Sequence, residues 1–550
     1  MKKISTSFFL VIAVTVTTMI SLSAQVPVLV KDINPSGNSS YPIYMTAIGN
    51  KVYFNANDGS TGEELWVSDG NTNANATGTY RIADINPGQY SSSPKNLIEV
   101  GGKLFFSATD PTHGEELWVY DPLTNDTSFL KDIYIGTNGS NISNMFDFNG
   151  TLYFTAVSAA EGNELWKSDG TPSGTLLVSN INPGSQHAFQ PGFPAYFTVI
   201  GNYLYFVASD NLVGKEIFRT DGTTAGTSLY VNIDINNSSS PQDLVAVGST
   251  LYCRAVTNQN GGELFKVNTN TGTWSIVKDI NSTSISAFYL SYNNPLSYKM
   301  VNLSDTLFFV ANDGASGFGD ELWMTTGYDS TTHRISDISP GSGDAQITEL
   351  SIYNGKVYFA ASNASYGNEL YRTNGFPVLS SSSPPFGDIV NGPNGSGPGQ
   401  FVEMNGELFF VTSSLFNVLY KTDGVTRQSI NGQQFVSNLC ATTSALFFQS
   451  YDNINGYELW KLDATTTTGI TENNLTVVNY PNPTTGFITF TSTTPINQIE
   501  IYSITGLQLQ QQTINQTLTE QLDLSNFEAG IYLAVITTHE GRITQRILKQ

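Results

Sequence analysis

A nine-residue segment, fullest at Gly62 to Gly70 as G-E-E-L-W-V-S-D-G, returns about every fifty residues along this chain of 550. Its copies are centred on Glu64-Leu65-Trp66, Glu116-Leu117-Trp118, Glu164-Leu165-Trp166, Glu216-Ile217-Phe218, Glu263-Leu264-Phe265, Glu321-Leu322-Trp323, Glu369-Leu370-Tyr371, Val418-Leu419-Tyr420 and Glu458-Leu459-Trp460. Among repeat architectures, that period points to propeller blades rather than helical solenoids. One such unit cannot bury its own apolar surface, so the copies must stack on one another.

Each repeat holds four strand-like runs. In the first they are Ile43 to Ile48, Lys51 to Ala56, Glu64 to Val67 and Tyr80 to Ile85, called a, b, c and d below. The a–b junctions are pairs such as Gly49-Asn50, Gly101-Gly102, Asn149-Gly150, Asn354-Gly355 and Asn405-Gly406. These residues accept the positive φ of tight hairpin turns, which makes a and b antiparallel neighbours. Strand b is apolar on both faces, as in Val52-Tyr53-Phe54 and Leu104-Phe105-Phe106. A sheet with one wet face would alternate, so each blade must lie between two others. Tyr, Phe, Thr, Ser, Asn and Gly are abundant, and no amphipathic helical run stands out.

The ends of the array carry a topological clue. Leu29 to Pro35 reads L-V-K-D-I-N-P, which matches strand d, yet no a, b or c run precedes it. The ninth repeat ends at Asp463 without a d strand. The expected fold is therefore all-β: a single large β-propeller of about nine four-stranded blades closed by an N-terminal strand. Residues 464–475 form a Thr-rich linker, and 476–550 read as a small β-sandwich of short strands.

Residues 1–24 have a basic start, an apolar run and small residues before Gln25, the pattern of a secretory signal peptide. The propeller region then spans 25–463. No later segment has the length of a membrane helix, so no transmembrane segment is expected after cleavage. A formal charge of -22 disfavours nucleic acid and anionic lipid surfaces. Cys253 and Cys440 lie in different repeats and read as buried small hydrophobes.

Two resemblances follow from these motifs. The central region resembles the bacterial repeat proteins that carry the signature E-L-W-x-x-D-G-T, best seen from Glu164 to Thr171. The last seventy-odd residues resemble the type A C-terminal sorting domain of the type IX secretion system of Bacteroidetes. That likeness rests on Pro481, Asn482, Pro483, Gly530, Tyr532 and Lys549. It implies handling by the type IX machinery, passage through the periplasm, and secretion or display at the outer cell surface. The repeat family implies no settled activity.

Candidate site residues are few. The Glu that opens strand c is expected to accept hydrogen bonds from the backbone or a neighbouring blade. Acidic loops on one face carry Asp58, Asp84, Asp110, Asp132, Asp210 and Asp313, which suit Ca²⁺ as a hard cation, although Asx turns explain the same residues. No other cofactor is expected. Two d–a loops are long and aromatic, with Phe189, Phe193 and Tyr196 in one and Phe288, Tyr289 and Tyr292 in the other. Exposed rings there would stack on sugars, and the competing expectation is a local plug. No nucleophile elbow, H-E-x-x-H or phosphate loop occurs, and His113, His187, His333 and His539 are scattered. The leading expectation is a binding, adhesion or structural module for an extracellular glycan or protein. The alternative is a propeller glycoside hydrolase or polysaccharide lyase.

Overall fold

The computed structural model describes residues 25–464 and 477–550, apart from 74–76, 283–285, 289–299, 315–318, 342, 377–378, 381, 431, 504–507 and 539–540. The expected leader and nearly all of the linker lie outside the described residues. The chain divides into two compact units at Ala464 and Thr465. Among the described residues the only helical pieces are two 3-10 turns, Asp329–Thr331 and Ser413–Leu415. No helix among them is long and apolar enough to cross a membrane.

The first unit is a propeller-like array of antiparallel sheets. Among its described residues, eight sheets have four strands and one has three. Except in the sheet that the N-terminal strand joins, strands follow sequence order, as in Ile43–Ile48, Lys51–Asn57, Glu63–Ser68 and Thr79–Arg81. The a–b turns adopt the expected geometry, with Asn149 at φ 55° and Gly150 at φ 77°. Strand a lies innermost, and Ile43–Ile48 touches both Lys95–Val100 and Gln434–Ala441. Val28–Lys31 pairs antiparallel with Gly456–Asp463, setting Leu29 opposite Trp460. The N-terminal strand thus supplies the fourth strand of the last sheet.

Packing between sheets follows from the doubly apolar b and c strands. Tyr53, Leu65 and Val67 of one sheet share a core with Leu104, Phe106 and Tyr120 of the next. Trp66 packs backwards, against Val30, Phe447 and Leu459 of the sheet that the N-terminal strand completes. Because each apolar face meets a neighbour rather than water, burial stabilises the array only as a whole.

The expected four strands fail in the seventh repeat. Thr348–Tyr353, Lys356–Asn363 and Gly367–Thr373 form a three-stranded sheet. The segment after it carries Leu379–Ser380 away, to pair in parallel with Ser336–Asp337. The Pro- and Ser-rich run here offers too few donors to continue the ladder on its own strand c.

The second unit is one connected five-stranded sheet. Its strands were expected to be short, but Phe487–Ser503 and Gln508–Asp523 are long and interrupted by register shifts. The first half of Phe487–Ser503 pairs with Val477–Tyr480 and the second half with Gly530–Thr538. Ile488 and Phe490 from one half share a core with Ile499, Ile501, Ala534 and Ile547. The bulges therefore bend the long strands so that both halves enclose a single core, as a sandwich does.

Candidate functional site

The repeated glutamate acts as a clamp. All eight are fully buried at 0 % exposure. Glu64 accepts from the backbone N–H groups of Ile85, Asn86 and Ser92 and from the Ser92 hydroxyl at 2.6 Å. These donors lie on the d–a connection, so the carboxylate fixes the chain at the point where it enters the next blade. Glu216 repeats the arrangement with Ile233 and Ser239, and Glu369 with Val390 and Ser396. Burial raises every one of these carboxyl groups above the usual range, Glu116, Glu263 and Glu458 to about 7 and Glu164 to about 8.

The inner strands share a second device. Near the start of seven of these strands lies a bulge whose non-glycine residue is left-handed: Tyr44, Asn96, Asn144, Asp243, Glu349, Gln400 and Phe435 have φ between 51° and 58°. Bulges of this kind re-aim a side chain, and here the side chains reach sideways. Asn96 donates to the Ile142 carbonyl at 2.9 Å, and Asn144 accepts from the Ala195 N–H at 3.0 Å. Gln400 accepts from the Asn438 N–H at 2.9 Å.

One blade departs from the repeat. Arg254 stands on strand b, where other copies carry Val207 or Val310, and is 2 % exposed. It pairs with the bulged Asp243 and lies 5.5 Å from the Phe288 ring. Burial and the nearby Asp243 charge push the Tyr196 phenol up to about 12. Sequence reading passed over this group, although a charge inside the apolar run Leu251 to Ala255 signals it.

The long aromatic loops require a correction. Phe189 is 3 % and Phe288 1 % exposed, with their rings against Phe206 and Phe309. They plug inter-blade cores because the loops fold inward over them, and a sugar cannot reach those faces. Phe193 is half-buried under Lys215, whose Nζ lies 5.5 Å from the ring, and Tyr196 is half-buried at the next inner strand. Tyr289 and Tyr292 lie outside the described residues.

The acidic loops hold their own backbone. Asp58 accepts from the N–H and hydroxyl groups of Ser60 and Thr61, and Asp210 from the N–H groups of Leu212 and Val213. Asp110 accepts from the N–H groups of Thr112 and His113 and meets His113 Nδ1 at 2.8 Å. Asp84 lies 3.6 Å from Arg81, Asp132 accepts from Gly136, and Asp313 sits in the turn after Thr306–Ala311. Among the described residues no three His, Cys, Asp or Glu side chains converge to hold a metal ion. Cys253 and Cys440 are both buried and unbridged.

In the C-terminal unit the motif residues meet around the last strand, Gly541–Lys549. Asn482 donates to the Arg546 carbonyl and accepts from the Leu548 N–H at 2.8 Å. Gly530 pairs with Lys549 and Tyr532 with Ile547, while Thr484, next to Pro483, bridges to Lys549. Pro481 leads into this contact.

Residues 478–550 match the family described as the secretion system C-terminal sorting domain. The chain thus carries a type IX sorting tail, which marks it for export and for secretion or surface attachment. Ulvan lyase NLR42 from Nonlabens ulvanivorans is 25 % identical over 139 residues, 24 % of this chain and 25 % of that protein. The chain therefore matches about a quarter of that relative's length. Similar solved structures include the computationally designed protein Ika8, with a TM-score of 0.40 and 10 % identity, covering 68 % of this chain and 97 % of that one. BamB from Moraxella catarrhalis has a TM-score of 0.35 and 11 % identity, covering 67 % and 96 %.

Proposed function

We propose that the protein is an extracellular binding module: a single ring of nine blades, of the E-L-W-x-x-D-G-T repeat type, that presents a rigid surface to a glycan or protein outside the cell. The observation that carries this reading is the use made of the repeated carboxylates. Each of the eight glutamates holds the chain as it enters the next blade, and the acidic turns hold their own loops. The groups that recur therefore build a scaffold, and the sorting tail delivers it to the exterior. Nine inner strands, with the first and last in contact, support one ring rather than two.

A second reading, a polysaccharide lyase or hydrolase, draws on half-buried Tyr196, whose raised phenol stays protonated and can donate, and on the partial likeness to ulvan lyase. A glycan array run beside reducing-sugar release and ultraviolet detection of unsaturated products separates the two. Binding without product supports the module. Product formation abolished by Tyr196→Phe supports the enzyme.

A further inference from the structure

The eighth repeat is the one whose clamp is missing. Val418 stands in the glutamate's position, and a cavity of about 500 Å³ opens there, lined by Val418, Gln433, Gln434, Phe435, Tyr451 and Asp452. Five aromatic rings run across this seam and onto the first blade. Phe416 meets Phe435 at 5.8 Å, Phe435 meets Tyr451 at 5.8 Å, Tyr451 meets Tyr457 at 5.1 Å, and Tyr457 stacks on Tyr41 at 5.4 Å. The two end rings are open to solvent, Phe416 at 63 % and Tyr41 at 56 % exposure.

The backbone marks the same residues. Phe416, Phe435 and Tyr41 have φ of 63°, 56° and 49°, a conformation that bulky side chains rarely adopt. At the position after the clamp serine, where Tyr41 follows Ser40, other blades carry Ser93, Asn141 and Ser240 at nearly the same φ. The position before the clamp glutamate is Tyr457 here, and Glu63, Asn163 or Lys215 elsewhere. Phe189 and Phe288 follow Ala188 and Ala287 at the point that corresponds to Tyr41, but both are buried, whereas Tyr41 is open to solvent.

Polar cavities flank the ridge. One of about 510 Å³, at the Phe416 end, is lined by Glu349, Asn394, Gln400, Ser413 and Asn417. Another of about 750 Å³, at the Tyr41 end, is lined by Asn34, Asn38, Ser39, Asp58 and Ser60. No Lys or Arg lines any of the three, and each of them includes a carboxylate.

We propose that this seam binds a neutral polysaccharide chain, laid along the aromatic ridge with its hydroxyl groups in the flanking amide-lined cavities. The proposal rests on the binding-module reading above and adds the site and the ligand class. The exposed end rings, Phe416 and Tyr41, offer stacking surfaces to sugar units, and the half-buried rings between them, packed edge-to-face or tilted on one another, form the base of the ridge. Amide and hydroxyl side chains pair with sugar hydroxyls. The carboxylates, with no Lys or Arg among the described residues that line the cavities, disfavour sulfated or uronic-acid chains.

The test uses the purified full chain in affinity electrophoresis against soluble neutral glucans and galactans, with a sulfated and a uronic-acid polysaccharide as the anionic arm. Tyr41→Asn and Phe416→Asn remove a ring while placing a residue that tolerates the left-handed conformation, so the fold persists. Each is expected to weaken retention by a neutral polymer about ten-fold. Tyr90→Ala removes an exposed ring elsewhere and should change nothing. Retention only by anionic polymers overturns the ligand class. Neutral binding that both Asn variants leave intact overturns the site but keeps the module. Absence of binding to any polysaccharide overturns the site and the glycan reading together.

Discussion

Ser40 donates its hydroxyl to the Glu458 carboxylate at 2.6 Å, across 418 residues of sequence. The same carboxylate accepts from the N–H groups of Ile33, Asn34 and Ser40, so the repeat's own clamp also fastens the two ends of the array. Glu458→Gln puts an NH₂ donor against these donors, at a cost of about 3 kcal/mol. Hydrogen exchange at Val28–Lys31 should rise sharply in this variant. Glu164→Gln should destabilise to a similar extent without selectively opening that strand.

The buried clamps set a pH dependence. Their folded-state pKa lies above the unfolded value of about 4.5, so the native state binds more protons between that value and 7 to 8. Stability is then fully present below about pH 4.5 and falls as pH rises towards 8. Asp58, Asp110 and Asp452 shift downward, through hydrogen bonds that outweigh their burial, and act in the opposite sense below about pH 4. The melting temperature should fall between pH 5 and pH 8, and Glu164→Gln should flatten the slope. A melting temperature that rises over this range would contradict the assignment.

Arg254 and Asp243 should behave as a coupled pair. Asp243→Asn alone leaves a buried guanidinium without its carboxylate, at a cost of about 3 to 5 kcal/mol. Combined with Arg254→Val it gives residue types that other blades carry at these positions, Asn96 or Asn144 and Val207 or Val310, and the double variant should unfold close to the wild-type midpoint in urea.

In the sorting tail, Asn482 holds the last strand through bonds to both Arg546 and Leu548. Asn482→Ala should release that edge at about 1 to 2 kcal/mol. Faster hydrogen exchange at Ile547 and Leu548 in the full chain, with reduced export, is the expected result.

Much of the fold was legible because repetition multiplies weak signals. Glycine and asparagine pairs announced the a–b turns, doubly apolar b strands announced stacking, and an unpartnered d-like run at Leu29 announced its pairing with the last sheet. The clamp role of Glu64 and its copies was readable from their fixed place. Other features depend on tertiary geometry that no local pattern encodes. The bulges at Asn96 and Asp243 hide inside ordinary strand sequence. Phe189 and Phe288 sit in long polar loops that resemble open surface, yet inter-blade gaps draw them inward. The Tyr41–Tyr457 stack joins residues too distant in sequence for periodicity to relate, although the loss of Glu at Val418 marked the seam.

Because Val28–Lys31 is the first strand of the array in sequence and its partner Gly456–Asp463 the last, the array keeps an unsatisfied edge until its ninth repeat has been made. Every other blade assembles from consecutive segments, whereas this one needs both ends of a chain hundreds of residues long. Its completion is the most non-local strand pairing of the array, the kind that closes slowly, and a chain that ends before residue 456 leaves this edge open to strand exchange with its neighbours.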